Sequence, residues 1–463
     1  MVDLANGIAE FERLAAFAAD YDIRSAPELI QSAAKACLLY GLSVGVASVK
    51  VRQVAVAVEA LDLDSPIVQG GPSTRLLDGR QRSLGDAAMA NAVLLSSRVQ
   101  GDSHRTGHLG GVVIPSALAL AQSRNLSGSE LLSCIVAGYE TALRIGRDHA
   151  ASATQRGFRA TPCYGVFAAA ATAGRAFGFN RTQMLSALSI ATNLSSGLRE
   201  YVNAGTDESP FQAGFATRNG ITAALLAKSG QDAAPSALHG TAGFFTTFGG
   251  HDSDHGARLV EGLGRDYELT TLTYKTYPAC QYLRGMIRLI CATRLKAADA
   301  KLASLEVRLS PFEANFVGVR LTGPFVSSAQ TVMSAPFCAA LAWATGSVGY
   351  YGLRQFEDPA VLTLAPRVSI VADETCKRFQ THIRVALTDG RILDASDYSG
   401  DADYQLDWPA ATNMTAALFE EVNGDPTDII AAADAVDQAP DVGSVIKATR
   451  AAIERTKGLR DKV

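Results

Sequence analysis

The run Ala168-Ala169-Ala170-Ala171-Thr172-Ala173-Gly174 constrains the fold more than any other stretch of this chain. A helix built from side chains this small has no amphipathic stripe. It is apolar on every side, which suits the inside of a bundle, and its thin surface lets neighbouring helices pack close. Helical spacing of apolar residues recurs across the first half, over 8–19, 29–40, 51–61, 84–99 and 113–122. Ser127 with Glu130 forms a capping box that opens a helix running through about residue 147. Gly178 ends one helix, and Asn180 with Gln183 starts the next, through about residue 198.

Near residue 265 the period changes. Segments 305–309, 316–321, 368–371 and 383–387 alternate as strands do, and Asp389-Gly390 before Arg391 signals a hairpin. Helices are expected between them at 328–345 and 359–364. After Trp408 the helical pattern returns and closes with a helix over 444–457, Ser444 as its N-cap. A chain of 463 residues exceeds what one core supports. The expected architecture is therefore mainly α: an all-helical domain from 1–265 and 405–463, and a smaller α+β domain over 266–404.

Composition narrows the function classes. The net charge of −4 comes with no basic tract, which argues against a nucleic-acid partner. The N-terminus lacks the apolar stretch of a signal peptide, and no uninterrupted run of about 18 apolar residues suggests a membrane partner. The seven cysteines are scattered, with neither zinc spacing nor a disulfide-like cluster, as expected of a cytoplasmic protein. No GxGxxG, Walker or GxSxG motif is found, so no cofactor is expected.

The densest chemistry lies in Gly101-Asp102-Ser103-His104-Arg105-Thr106-Gly107-His108-Leu109-Gly110-Gly111, a polar loop between two apolar helices. Two histidines four apart beside an acid would suit a metal on a helix, but the glycines, Arg105 and the lack of a third ligand argue for acid–base work. Arg156 to Gly165 leads into a helix with Pro162 in its first turn; Arg159 offers a bidentate clamp and Tyr164 a hydroxyl there. Gly197 to Gly214 is another loop before a helix, with Arg199, Ser209 and Gln212. In Tyr274-Lys275-Thr276-Tyr277-Pro278-Ala279-Cys280-Gln281-Tyr282-Leu283-Arg284, a rare lysine sits between tyrosines.

Taken in order, these segments resemble the MmgE/PrpD family, which includes 2-methylcitrate dehydratases, cis-aconitate decarboxylases and iminodisuccinate epimerases. The resemblance is strongest over 108–122, in Ile135-Val136-Ala137-Gly138-Tyr139-Glu140, over 157–167, in Lys275 to Cys280, and in the Asp389-Gly390-Arg391 hairpin. It implies an all-helical domain with an inserted α+β lid, a homodimer, and a metal-free cleft between the domains for a small di- or tricarboxylate. His108 falls on the family's loop histidine and Lys275 on its lysine before Tyr-Pro. Elsewhere the chain departs from the pattern. Arg98 stands where the first loop aspartate is usual, Arg159 where a histidine follows Gly-Phe, and Ser209 and Gln212 where a lysine and a histidine occur. Phe337 replaces a tyrosine, and Arg284 a histidine.

Arginine is a poor proton carrier, so these exchanges keep a pocket for anions while narrowing the acid–base set. The expectation is a cofactor-independent lyase, dehydratase-like, that removes a proton α to a carboxylate. His108, His104, Asp102 and Lys275 are the catalytic candidates; Arg159, Arg98, Arg199, Arg284, Tyr164, Tyr277, Ser209 and Gln212 are the substrate-binding ones. Epimerisation or isomerisation, decarboxylation, and a silent carboxylate-binding relative are the alternatives.

Overall fold

The computed structural model describes residues 4–64, 70–251 and 254–458. The chain forms two compact units: Met1–Leu198 with Glu208–Tyr274 and Leu406–Val463, and Arg199–Asp207 with Lys275–Gln405. The first is a helical assembly. It begins with α1 (Leu4–Asp20), α2 (Glu28–Ala47) and α3 (Arg52–Asp64), then a two-residue antiparallel ladder of β1 (Ser73–Thr74) and β2 (Gln81–Arg82). There follow α4 (Leu84–Ser96), α5 (Gly110–Arg124), α6 (Gly128–Gly146), α7 (Ala150–Gln155), α8 (Ala160–Ala176) and α9 (Arg181–Thr192). After α10 (Glu200–Ala204), which belongs to the second unit, the first resumes with α11 (Ser209–Lys228) and α12 (Phe244–Gly249).

The alanine-rich run lies in α8, where every residue from Thr161 to Gly174 is buried. α6 and α11 both pack on it. The approach is close enough that a Cβ on Gly220 of α11 would stand 2.5 Å from the Ala169 Cβ and from the Val166 carbonyl oxygen. Side-chain volume, more than helix propensity, sets that spacing.

The second unit is built on a four-stranded sheet, ordered β4-β3-β5-β6, from β3 (Leu302–Leu309), β4 (Val368–Ala372), β5 (Thr381–Leu387) and β6 (Ile392–Asp397). β3 runs parallel to β4 and antiparallel to β5, with Val307 opposite both Ile370 and Ile383. Leu305, Val307, Leu309, Ile383, Val385 and Leu387 point one way into the core. α13 (Arg284–Ala297) packs on β5 and β6, and α16 (Ala335–Thr345) on β4; α14 (Pro311–Ala314), α15 (Ser328–Thr331) and α17 (Pro359–Leu364) are short connectors. The chain then returns to the first unit as α18 (Trp408–Glu421), α19 (Thr427–Asp434) and α20 (Gly443–Gly458). α2 is long and apolar enough to cross a membrane by length and composition, yet most of it is buried, largely under α18.

The mainly α architecture with a smaller α+β part is the expected one, and the two capping boxes at Ser127 and Asn180 form as read. Several boundaries differ. Residues 316–321 are not a strand: Gly318 takes φ +83° and turns the chain, with Val319 N–H donating to the Phe316 carbonyl. The helix from Asn180 stops at Thr192, short of 198. The expected helix over 328–345 is two, because Ser334 caps a new start at Ala335 and accepts from the Phe337 N–H. The last helix starts at Gly443, whose N–H donates to Asp441, so Ser444 lies inside it.

Candidate active site

The loop between α4 and α5 is held at both ends. Ser103 makes a two-bond antiparallel bridge with Thr273, 2.7 and 2.9 Å, and His104 closes a tight turn with Gly107 through reciprocal 3.0 Å bonds. Gly107 has φ +128°, and a Cβ there would lie 2.9 Å from the Thr161 nitrogen. Only glycine lets the turn press against the start of α8. The buried Asp102 carboxylate accepts the Gly110 N–H at 2.8 Å and the Tyr139 hydroxyl at 2.9 Å. These two bonds tie the carboxylate to the start of α5 and to α6.

His108 is oriented instead by main chain. Its Nδ1 lies 2.7 Å from the Asp102 carbonyl oxygen and 3.1 Å from Ser103 Oγ, while its own N–H donates to Thr161 Oγ1 at 3.1 Å. A carbonyl can only accept, so Nδ1 carries the proton and the lone pair of the neutral ring is on Nε2. That is the tautomer of a base acting through Nε2. The ring is half-buried, which leaves it reachable.

His104 has the opposite tautomer. Its Nδ1 accepts the Thr106 N–H at 3.1 Å, so its proton sits on Nε2, 3.3 Å from Glu268 Oε2. The other oxygen of Glu268 accepts Arg147 Nη1 at 2.9 Å. Burial acts against the Glu268 charge, but the bonds from His104 and Arg147 prevail and hold its carboxyl down at about 2. Glu268 is placed by α6, where Glu140 accepts the Leu269 N–H at 2.8 Å and Arg144 Nε at 3.0 Å. Both His104 nitrogens thus serve the frame of the loop, which leaves His108 as the half-buried imidazole of the pair.

Arg159, at the N-cap of α8, donates Nη1 to the Ser209 carbonyl at 2.6 Å and to Gln212 Oε1 at 3.2 Å. The structure brings these three candidates together, and Thr161, which holds His108, lies two residues after Arg159 at the start of the same helix. Arg98 goes elsewhere: 1% exposed, it pairs with Glu421 and also bonds Gln100 Oε1 at 3.1 Å. Tyr164 is fully buried, its hydroxyl 2.6 Å from His149 Nδ1, with His149 Nε2 3.0 Å from the Phe245 carbonyl. Burial and the neighbouring His255 push His149 down to about 3, so it stays neutral.

On the second unit, Lys275 is buried three residues before Pro278, and Tyr277 is half-buried with its phenol raised by burial. Arg199 lies over the Phe316 ring at 5.2 Å. Arg284 is 4% exposed, paired with Asp401 and stacked 4.0 Å from the Tyr404 ring centroid, so its charge is largely spent inside the unit. Among the described residues no three His, Cys, Asp or Glu side chains converge as metal ligands would. The residue reading missed Thr161, Tyr139, Glu268 and Arg147. Tyr139 and Glu140 stand in a segment singled out by resemblance, but polar residues inside an apolar helix carry no signal of what they bind.

Comparison with known proteins adds an independent finding. A family model described as the MmgE/PrpD N-terminal domain matches residues 12–255. The chain is 28% identical over 217 residues to cis-aconitate decarboxylase of Aspergillus terreus, covering 44% of each. It is 27% identical over 278 residues to the cis-aconitate decarboxylase-like protein oryM of Aspergillus oryzae, 56% of each. With cis-aconitate decarboxylase of Homo sapiens it shares 31% over 164 residues, 34% of each. The chain thus spans about half, or less, of the length of the curated relatives it matches.

Proposed function

We propose that the chain, which belongs to the MmgE/PrpD family, is a lyase that acts on a small di- or tricarboxylate by removing a proton from the carbon next to a carboxylate. The observation that carries this reading is the 2.7 Å contact between His108 Nδ1 and the Asp102 carbonyl, which places the ring's lone pair on Nε2. His108 Nε2 takes the proton, and the electron pair moves into the carboxylate as an enediolate-like anion. The carbonyl acceptor at Nδ1 stabilises the imidazolium as it forms. A positioned base of this kind is worth roughly 10²–10⁴ in rate. The imidazolium then returns its proton to the departing β-hydroxyl, which leaves as water.

Cations do the remaining work. Arg159 and the N-terminal N–H groups of α8 suit a carboxylate, and Lys275 is the family's matching lysine. A second reading, decarboxylation, is favoured by the similarity to cis-aconitate decarboxylases. There the C–CO₂ bond breaks, its electron pair is delocalised into a conjugated carboxylate, and the His108 imidazolium protonates the carbon. Incubation with citrate-, aconitate-, malate- and aminodicarboxylate-type acids, followed by NMR, separates the readings. An unsaturated product with loss of water supports the hydro-lyase, and loss of CO₂ the decarboxylase. Thermal stabilisation by the acids with no turnover would overturn the lyase proposal in favour of a binding protein. Lys275→Met should raise KM for the turned-over acid; unchanged KM and kcat would remove Lys275 from the site.

A further inference from the structure

His108 is only as well placed as the carbonyl that holds its Nδ1. That carbonyl belongs to the Asp102–Ser103 peptide, a rigid plane whose N–H and C=O point in opposite directions. The Ser103 N–H donates to the Thr273 carbonyl at 2.7 Å, and the Asp102 carbonyl oxygen lies 2.7 Å from His108 Nδ1. Thr273 thus fixes the Ser103 end of the plane. The Asp102 end is anchored through its own side chain.

The Asp102 residue is 3% exposed, and its two carboxylate oxygens serve different helices. Oδ1 accepts the Gly110 N–H of α5 at 2.8 Å, and Oδ2 accepts the Tyr139 hydroxyl of α6 at 2.9 Å. Tyr139 is fully buried; burial and the Asp102 charge push its phenol up, so the hydroxyl stays a donor. The buried Cys37 thiol hydrogen-bonds the same hydroxyl. No side chain fits at the junction, since a Cβ on Gly110 would stand 2.8 Å from both Asp102 Oδ1 and the Tyr139 oxygen. One turn further along α6, the Leu143 carbonyl accepts Thr106 Oγ1 at 3.3 Å. The helix therefore holds the loop at Asp102 and at Thr106, and at Asp102 its grip is one hydroxyl.

A buried carboxylate that loses a donor shifts toward another, because the unmet acceptor is costly. Any such shift of Asp102 carries with it the carbonyl that decides the His108 tautomer. We propose that Tyr139 is a positioning residue for His108: its hydroxyl holds Asp102 so that the ring keeps its proton on Nδ1 and its lone pair on Nε2. The effect on rate rests on the lyase reading, whereas the tautomer is read without substrate.

The test is nitrogen-15 NMR of the histidine rings at pH 8, above the ordinary histidine range, in the wild type, Tyr139→Phe and Thr141→Val. His108→Ala assigns the His108 signals, melting curves verify folding, and steady-state rates are measured on the turned-over acid. Thr141 is the control: its hydroxyl is buried in the same helix and makes no hydrogen bond among the described residues. The wild type should show a single His108 tautomer, protonated on Nδ1. Tyr139→Phe should populate both tautomers and lower kcat about tenfold with KM unchanged, while Thr141→Val should match the wild type in both readouts. A single Nδ1-protonated tautomer in folded Tyr139→Phe would overturn the assignment, as would mixed tautomers in the wild type or equal losses in Thr141→Val. If the wild type turns over no acid, the lyase reading falls and the tautomers alone decide the role of Tyr139.

Discussion

His104 and His108 stand four residues apart, yet the main chain assigns them opposite protons. A backbone N–H at Nδ1 forces the His104 proton to Nε2, toward Glu268; a carbonyl at Nδ1 of His108 does the reverse. Which histidine has a usable lone pair is thus decided by the turn, and that is why residue types alone did not separate them. The Glu268 link is open to test by pH. Its folded-state pKa of about 2 lies below the usual glutamate range, so its contribution to stability is complete above that range and is lost as pH falls through it toward 2. Glu268→Gln should lower the melting temperature at pH 7, by the equivalent of about 1–3 kcal/mol, and the gap from wild type should narrow by pH 3. A gap that widens in acid would contradict the pairing. His149 offers a second check: NMR should show its ring neutral at pH 4.5, since its value is pushed down to about 3, and a midpoint near 6.5 would show the burial to be misjudged.

Elements differ in how far local sequence decides them. The capping boxes at Ser127 and Asn180 were legible because donor and acceptor lie within four residues of each other. The strands β3 and β5 were legible because one face of each is buried, which imposes the alternation. Residues 316–321 alternate too, but Gly318 turns there, and the packing that favours a turn comes from elsewhere in the chain. The same distinction applies to the site. The loop histidines and the Lys275 segment could be found from sequence, whereas Thr161, Glu268 and Arg147 become partners only through folding. Two substitutions follow at this scale. Ser127→Ala should cost about 1 kcal/mol through loss of the cap. Gly220→Ala should cost more, about 1–3 kcal/mol, because its methyl enters the contact with Ala169 and Val166. Chemical denaturation of both would rank them; a Gly220→Ala variant as stable as wild type would mean that α11 and α8 are less closely packed than described.

For the whole molecule, helical period and strand period were enough to foresee a mainly α chain with a smaller α+β part. They did not reveal that Arg199–Asp207, inside the helical half of the sequence, belongs with the second unit. A nine-residue segment with one short helix has too little periodicity to declare its allegiance. The family resemblance carries a further expectation, a homodimer, and light scattering should then give twice the chain mass of 48.6 kDa; a monomer mass would remove the dimer from the account. The central claim is that His108, with its lone pair on Nε2, is the base of a lyase. Its most direct measurement is release to water of deuterium placed at the carbon next to a carboxylate of the turned-over acid, in the wild type and in His108→Ala. Release by the wild type and none by the folded variant is expected. Equal release by both would contradict the assignment of His108 as the base.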